Sequence, residues 1–162
     1  MRGTAKGFSL IELLIVVAII LIIAAIAIPN LIKSRIAANE SATVGNLKTM
    51  TNSLATYVTL YPECGFPDSL TRLGPGSPPT NAAAGMLDAV MAQDAFIKSG
   101  YNFTYALVGG TGDCAGTPGT DYEIEAQPAV QNKTGVRGFW VDSSHLIRGD
   151  PSGDAGSTSP AL

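Results

Sequence analysis

The sequence predicts an α+β fold: one long N-terminal α-helix, about residues 8–61, packed against a small antiparallel β-sheet of three to four strands. Three observations predict it. Residues 8–28 carry one charge, Glu12, and run unbroken in hydrophobic residues after it, which suits a helix. From Leu47 to Tyr61, Leu47, Met50, Leu54, Val58 and Tyr61 recur at spacings of three and four, with Lys48 and Asn52 between them. Beyond Pro62 the pattern changes to short alternating runs separated by glycine and proline, which favours strands and turns. Such a sheet needs an apolar partner, and the stripe from Leu47 to Tyr61 supplies it.

In chain order, residues 1–7 form a short basic leader carrying Arg2 and Lys6. Residues 8–30 are a hydrophobic segment long enough to cross a bilayer core of roughly 30 Å. Its one charge, Glu12, costs about 2.5 kcal/mol or more at a bilayer centre, so it is expected to have a partner. Pro29 removes a helical hydrogen bond to Ala25 and predicts a kink or a locally unwound turn. Residues 31–61 are the amphipathic half of the same helix, ended by Tyr61-Pro62. Between Ala37 and Val44 large apolar residues are scarce, so contact with neighbouring subunits is expected there.

Residues 62–148 form the globular head. Asp68 is expected to cap one helical turn around Leu70 and Leu73, and Asn81 to Lys98 reads as a second, shorter helix stopped by Ser99-Gly100. Tyr101 to Leu107 and Tyr122 to Ala126 alternate as half-buried strands, and Val136–Val141 with His145–Arg148 reads as a hairpin. Residues 149–162 are rich in glycine, serine and proline and are expected to be a flexible tail.

Lys6-Gly7-Phe8-Ser9-Leu10-Ile11-Glu12 resembles the processing site of type IV prepilins and of the related pseudopilins of type II secretion. The resemblance covers about a third of the chain and joins leader charge, glycine, phenylalanine, glutamate spacing and apolar run. It implies that a prepilin peptidase cuts between Gly7 and Phe8, that Phe8 becomes N-methylated, and that Glu12 pairs with the free amine of a neighbouring Phe8. It implies a structural subunit of a bacterial type IV pilus, a homo-oligomeric helical filament with no enzymatic activity. The implied partners are the peptidase and an inner-membrane assembly platform driven by a cytoplasmic ATPase. The prepilin would sit in the inner membrane with its head outside the cytoplasm before joining a surface filament. The alternatives are a type II secretion pseudopilin and a membrane-anchored binding module that does not polymerise. A secretory signal peptide fits less well, because the apolar run is too long and contains Glu12.

From Pro62 onward there are five Lys/Arg against eleven Asp/Glu, which argues against nucleic acid as a partner. Cys64 and Cys114 are the only cysteines, and an even count in an exported domain suggests one disulfide rather than two separate thiols. No catalytic set is evident, since His145 is the only histidine, and no cofactor or zinc site is expected. Asp142, Asp150 and Asp154 offer oxygens, but their spacing does not match a dense calcium loop, so no metal is expected. Arg148-Gly149-Asp150 and the sequons at Asn39, Asn102 and Asn132 are short enough to arise by chance. After Phe8 the next aromatic residue is Tyr57, which gives poor support to an aromatic conduction path.

Overall fold

The first helix, α1, spans Leu10–Leu60 in the computed structural model, which describes residues 7–162. The chain divides into two compact units, the first ending at Arg35 and the second spanning Ile36–Leu162. In the first unit the large apolar side chains stand exposed, from Phe8 at 78% to Leu31 at 68%. Such a surface is unstable in water and matches lipid or other helices. Pro29 lies inside α1 without interrupting it, and the Asn30 side chain donates to the carbonyl of Ile26, 3.2 Å away.

In the second unit, α1 buries Glu40, Thr43, Leu47, Met50, Thr51, Leu54 and Tyr57. The spacing of three and four holds, but the buried aromatic is Tyr57, while Val58 and Tyr61 are only half-buried. This face packs with one side of a five-stranded antiparallel meander: β1 (Ala95–Lys98), β2 (Tyr101–Val108), β3 (Asp121–Pro128), β4 (Gly138–Asp142) and β5 (Arg148–Asp150), in that spatial order. The inward positions alternate as a pleated strand requires: Tyr101, Phe103 and Tyr105 on β2, then Tyr122, Ile124 and Ala126 on β3. Register places Phe103 opposite Ala126 and Tyr105 opposite Ile124. Phe96 stacks on Phe103 with ring centroids 4.8 Å apart, fixing β1 to the core.

The sheet therefore has five strands where three to four are expected, because β1 occupies the end of the stretch predicted as a second helix. Residues 81–98 do not form that helix. Their backbone donors go to a neighbouring segment instead: Ala84 N–H to Arg72 O at 2.7 Å, and Met86 and Leu87 N–H to Leu73 O at 2.9 Å. Gly85 turns the chain with φ of +67°, and the Asp88 side chain accepts from the amides of Val90 and Met91. The apolar spacing expected of a helix is satisfied by a loop that buries Leu87, Met91 and Ala92.

A single 3-10 turn, Leu70–Leu73, does form, but Ser69 caps it by accepting from the Thr71 amide. Asp68 pairs with Arg72 instead. The β4–β5 connection runs through Ser143 to Ile147, longer than the expected hairpin turn. Residues 149–162 differ from the expected free tail: Gly149 N–H donates to Pro160 O at 2.9 Å and Leu162 N–H to Ile147 O at 3.0 Å, so the segment returns along β5.

Candidate functional site

Ser9-Leu10-Ile11-Glu12 has the spacing of a helix capping box, and the structure forms one of its two hydrogen bonds, from the Ser9 backbone to the Glu12 side chain. The Ser9 amide donates to Glu12 Oε2 at 2.9 Å, in the first turn of α1, where a negative charge is favoured by the helix dipole. The other carboxylate oxygen, Oε1, takes no hydrogen bond among the described residues. Gly7 and Phe8 lie just ahead of the helix, both exposed. Arg2 and Lys6 of the basic leader lie outside the described residues.

A second carboxylate, Glu40, holds the head to α1. Its Oε1 accepts from the amides of Val136 at 3.0 Å and Arg137 at 3.1 Å, and its Oε2 accepts from Arg137 Nε at 2.9 Å. One residue earlier, Asn39 Nδ2 donates to Thr134 O at 2.8 Å. From the sheet side, the Tyr101 hydroxyl donates to Arg137 O at 2.8 Å. Burial alone would raise the Glu40 carboxyl, but the Arg137 and Val136 amides together with the Arg137 guanidinium outweigh it and hold it below the usual carboxylate range. Gly135 is required beside this latch, since a Cβ there would stand 2.7 Å from Cε2 of the Tyr101 ring.

Cys64 and Cys114 are joined in a disulfide closing a separation of 50 residues. It ties the segment just past α1 to the loop between β2 and β3. Phe66 N–H donating to Gly119 O at 3.0 Å and Gly119 N–H to Cys64 O at 2.9 Å reinforce the same junction. Gly65 has φ of +64°, and a Cβ there would meet Gly119 N at 2.7 Å, so glycine alone fits.

Residues 2–28 match the family described as the prokaryotic N-terminal methylation motif. The chain is also 58% identical over 43 residues to the type IV wide pilus major component PilA4 of Thermus thermophilus. By this N-terminal segment the chain is similar to type IV pilins. It is 58% identical over 45 residues to the type IV major pilin protein PilA of Myxococcus xanthus. The matched stretches cover 26% and 28% of this chain, and 33% and 20% of the respective relatives, so the chain spans well under half the length of the curated relatives it matches. No solved structure is significantly similar to it.

The remaining residues singled out from sequence stay apart. The Asp142 side chain accepts from the Ser144 amide and hydroxyl, that of Asp150 from the Ser152 amide, and that of Asp154 from Gln127 Nε2. Asp142 and Asp150 serve their own turns, Asp154 is held by β3, and among the described residues no three potential metal ligands converge. His145 is exposed on the β4–β5 connection. Arg148-Gly149-Asp150 forms β5 itself, with Gly149 buried and the Arg148 guanidinium donating to Ser159 O at 3.0 Å.

Glu40 was not anticipated. The stretch from Ala37 to Val44 was expected to face neighbouring subunits, yet Asn39, Glu40 and Thr43 face the chain's own head. A signal exists: extending the buried spacing backward from Leu47 reaches Thr43 and then Glu40, so a carboxylate sits on the core face.

Proposed function

We propose that this chain is a structural subunit of a bacterial type IV pilus, a pilin that self-assembles into a helical surface filament after its leader is removed. The observation that carries the reading is the exposed apolar helix with one carboxylate, Glu12, in its first turn, directly behind the Gly7-Phe8 junction. A prepilin peptidase cleaves between Gly7 and Phe8, and the new amine of Phe8 is methylated. Before assembly the apolar helix anchors the subunit in the inner membrane with its head outside the cytoplasm. An assembly platform with a cytoplasmic ATPase supplies the energy, and the chain carries out no reaction of its own.

Assembly follows from electrostatics in a poorly solvated place. The Ser9 amide occupies only one oxygen of Glu12, and a carboxylate has acceptor capacity to spare. The cationic amine of a neighbouring Phe8 is drawn to the other oxygen, because charges attract far more strongly at low dielectric than in water. Breaking such a pair by removing one partner typically costs about 3–5 kcal/mol. The apolar helices leave lipid for one another, so extraction need not expose them to water. Pro29 gives the helix a point at which to kink on entering the filament.

Both relatives are named as pilus components, which favours the pilus over a secretion pseudopilus. The test is mass spectrometry and electron microscopy of fibres sheared from cells that express this chain. Fibres whose main component begins at an N-methylated Phe8 are expected. Cells that display the protein only as a membrane-anchored monomer would refute the reading.

A further inference from the structure

Within the second unit, a groove of about 390 Å³ runs between α1 and the β4–β5 connection. Val44, Leu146, Ile147 and Leu162 make it apolar, and Lys48 and His145 make it polar at its edge. Leu146 and Leu162 are exposed at 42% and 56%, although large side chains this apolar are usually covered. Lys48 forms no ion pair among the described residues, where the only pairs are Arg72–Asp68, Lys98–Asp88 and Arg137–Glu40.

We propose that this groove receives the Leu60–Glu63 corner of a second copy of the chain, with Leu60 on the apolar floor and Glu63 against Lys48. This rests on the filament reading above and names one of its interfaces. The argument is charge complementarity joined to apolar exposure. Outside the groove, five large apolar side chains of the second unit stand exposed: Leu60, Val90, Ile97, Val108 and Val130. Leu60 stands three residues before an exposed carboxylate, Glu63, across a turn closed by Cys64 N–H donating to Tyr61 O. Asp88, next to Val90, is held by Lys98. Asp121, opposite Val108, accepts from the amides of Tyr122 and Ser143. Lys98 and Lys133 flank Ile97 and Val130 with positive charge. Glu63 is exposed and forms no ion pair among the described residues.

The groove and the corner are different patches of the second unit, one beside Val44 and Lys48 of α1 and the other at its C-terminal end, so the contact is head-to-tail and repeats without closing when copies stay parallel. Val44 and Leu60 are 16 residues apart on α1. At 1.5 Å per residue, contacting copies are offset along the helix by about 24 Å.

The test is a charge exchange in the full chain, expressed with its assembly machinery. Lys48→Glu and Glu63→Lys are each expected to lower the yield of sheared fibres at least about five-fold, and the double variant to restore it to within about two-fold. Leu60→Gln, which changes no charge, is expected to lower it as well. Thermal unfolding of each detergent-solubilised subunit should match the unsubstituted protein, since all three side chains are exposed. Single variants that assemble normally, or a folded double variant no better than the singles, overturn the interface. Absence of fibres from the unsubstituted chain would instead overturn the filament reading on which it rests.

Discussion

Replacing Glu40 by alanine removes the acceptor for two amides and one guanidinium. A hydrogen bond to a charged group contributes about 1.5–3 kcal/mol. The guanidinium contribution must be discounted, because the Arg137 side chain is 45% exposed and water replaces the lost partner. The two amides have no such substitute while the loop stays docked on α1. The expected loss is therefore about 3–4 kcal/mol, or roughly 10–15 °C in the unfolding midpoint for a domain of this size. Glu40→Gln keeps a carbonyl for the amides and loses only the charge, so about 1–2 kcal/mol is expected. Arg137→Ala should cost about 1 kcal/mol or less.

The pH dependence follows from the same contacts. Glu40 is held below its usual 4.5 in the folded chain. Its contribution is therefore complete above the unfolded value and is lost as pH falls through the lower folded value. The stability difference between unsubstituted protein and Glu40→Gln should be flat from about pH 7 to about pH 5 and shrink below about pH 4. The assay is thermal and denaturant unfolding of the full mature chain in detergent, followed by circular dichroism. A Glu40→Ala loss under about 1 kcal/mol, or an Arg137→Ala loss equal to it, would refute the claim that the amides carry the latch.

Other consequences can be checked in the same preparations. Removing the disulfide as Cys64→Ser with Cys114→Ser releases a 50-residue closure and should cost around 4 kcal/mol in the chain-entropy account, read as a lower denaturant midpoint. Leu54→Ala empties a fully buried site under the sheet and should cost about 2–5 kcal/mol by the same measurement. Gly7→Val should leave the head's unfolding unchanged yet block leader removal, so that mass spectrometry of the membrane fraction finds residues 1–7 still attached.

Much of this fold was legible because single periodicities dominate long stretches. Helix α1 carries an uninterrupted apolar run and then a three-four stripe, and β2 and β3 alternate cleanly, so local pattern and tertiary burial agree. Residues 81–98 were misread because Met86 or Leu87, Val90 or Met91, and Ala95 or Phe96 offer spacings that a helix can meet, while a buried loop ending in a strand uses Leu87, Met91 and Phe96. Partners 10 to 20 residues away, at Arg72 and Leu73, decided between them. The 149–162 segment was misread because its composition holds one large apolar residue, Leu162, yet backbone hydrogen bonds along β5 need no apolar pattern. At the N-terminus, Glu12 was legible as a misplaced charge. Glu40 was not, because its partners come from a loop almost a hundred residues further along the chain.

The account depends most on what Glu12 does for a neighbouring Phe8, and fibre yield from Glu12→Val measures that directly. The substitution leaves the head untouched and keeps the segment apolar, so leader removal and membrane insertion should continue while sheared fibres fall to a small fraction of the unsubstituted yield. Normal fibres from Glu12→Val, at normal abundance, would contradict the account.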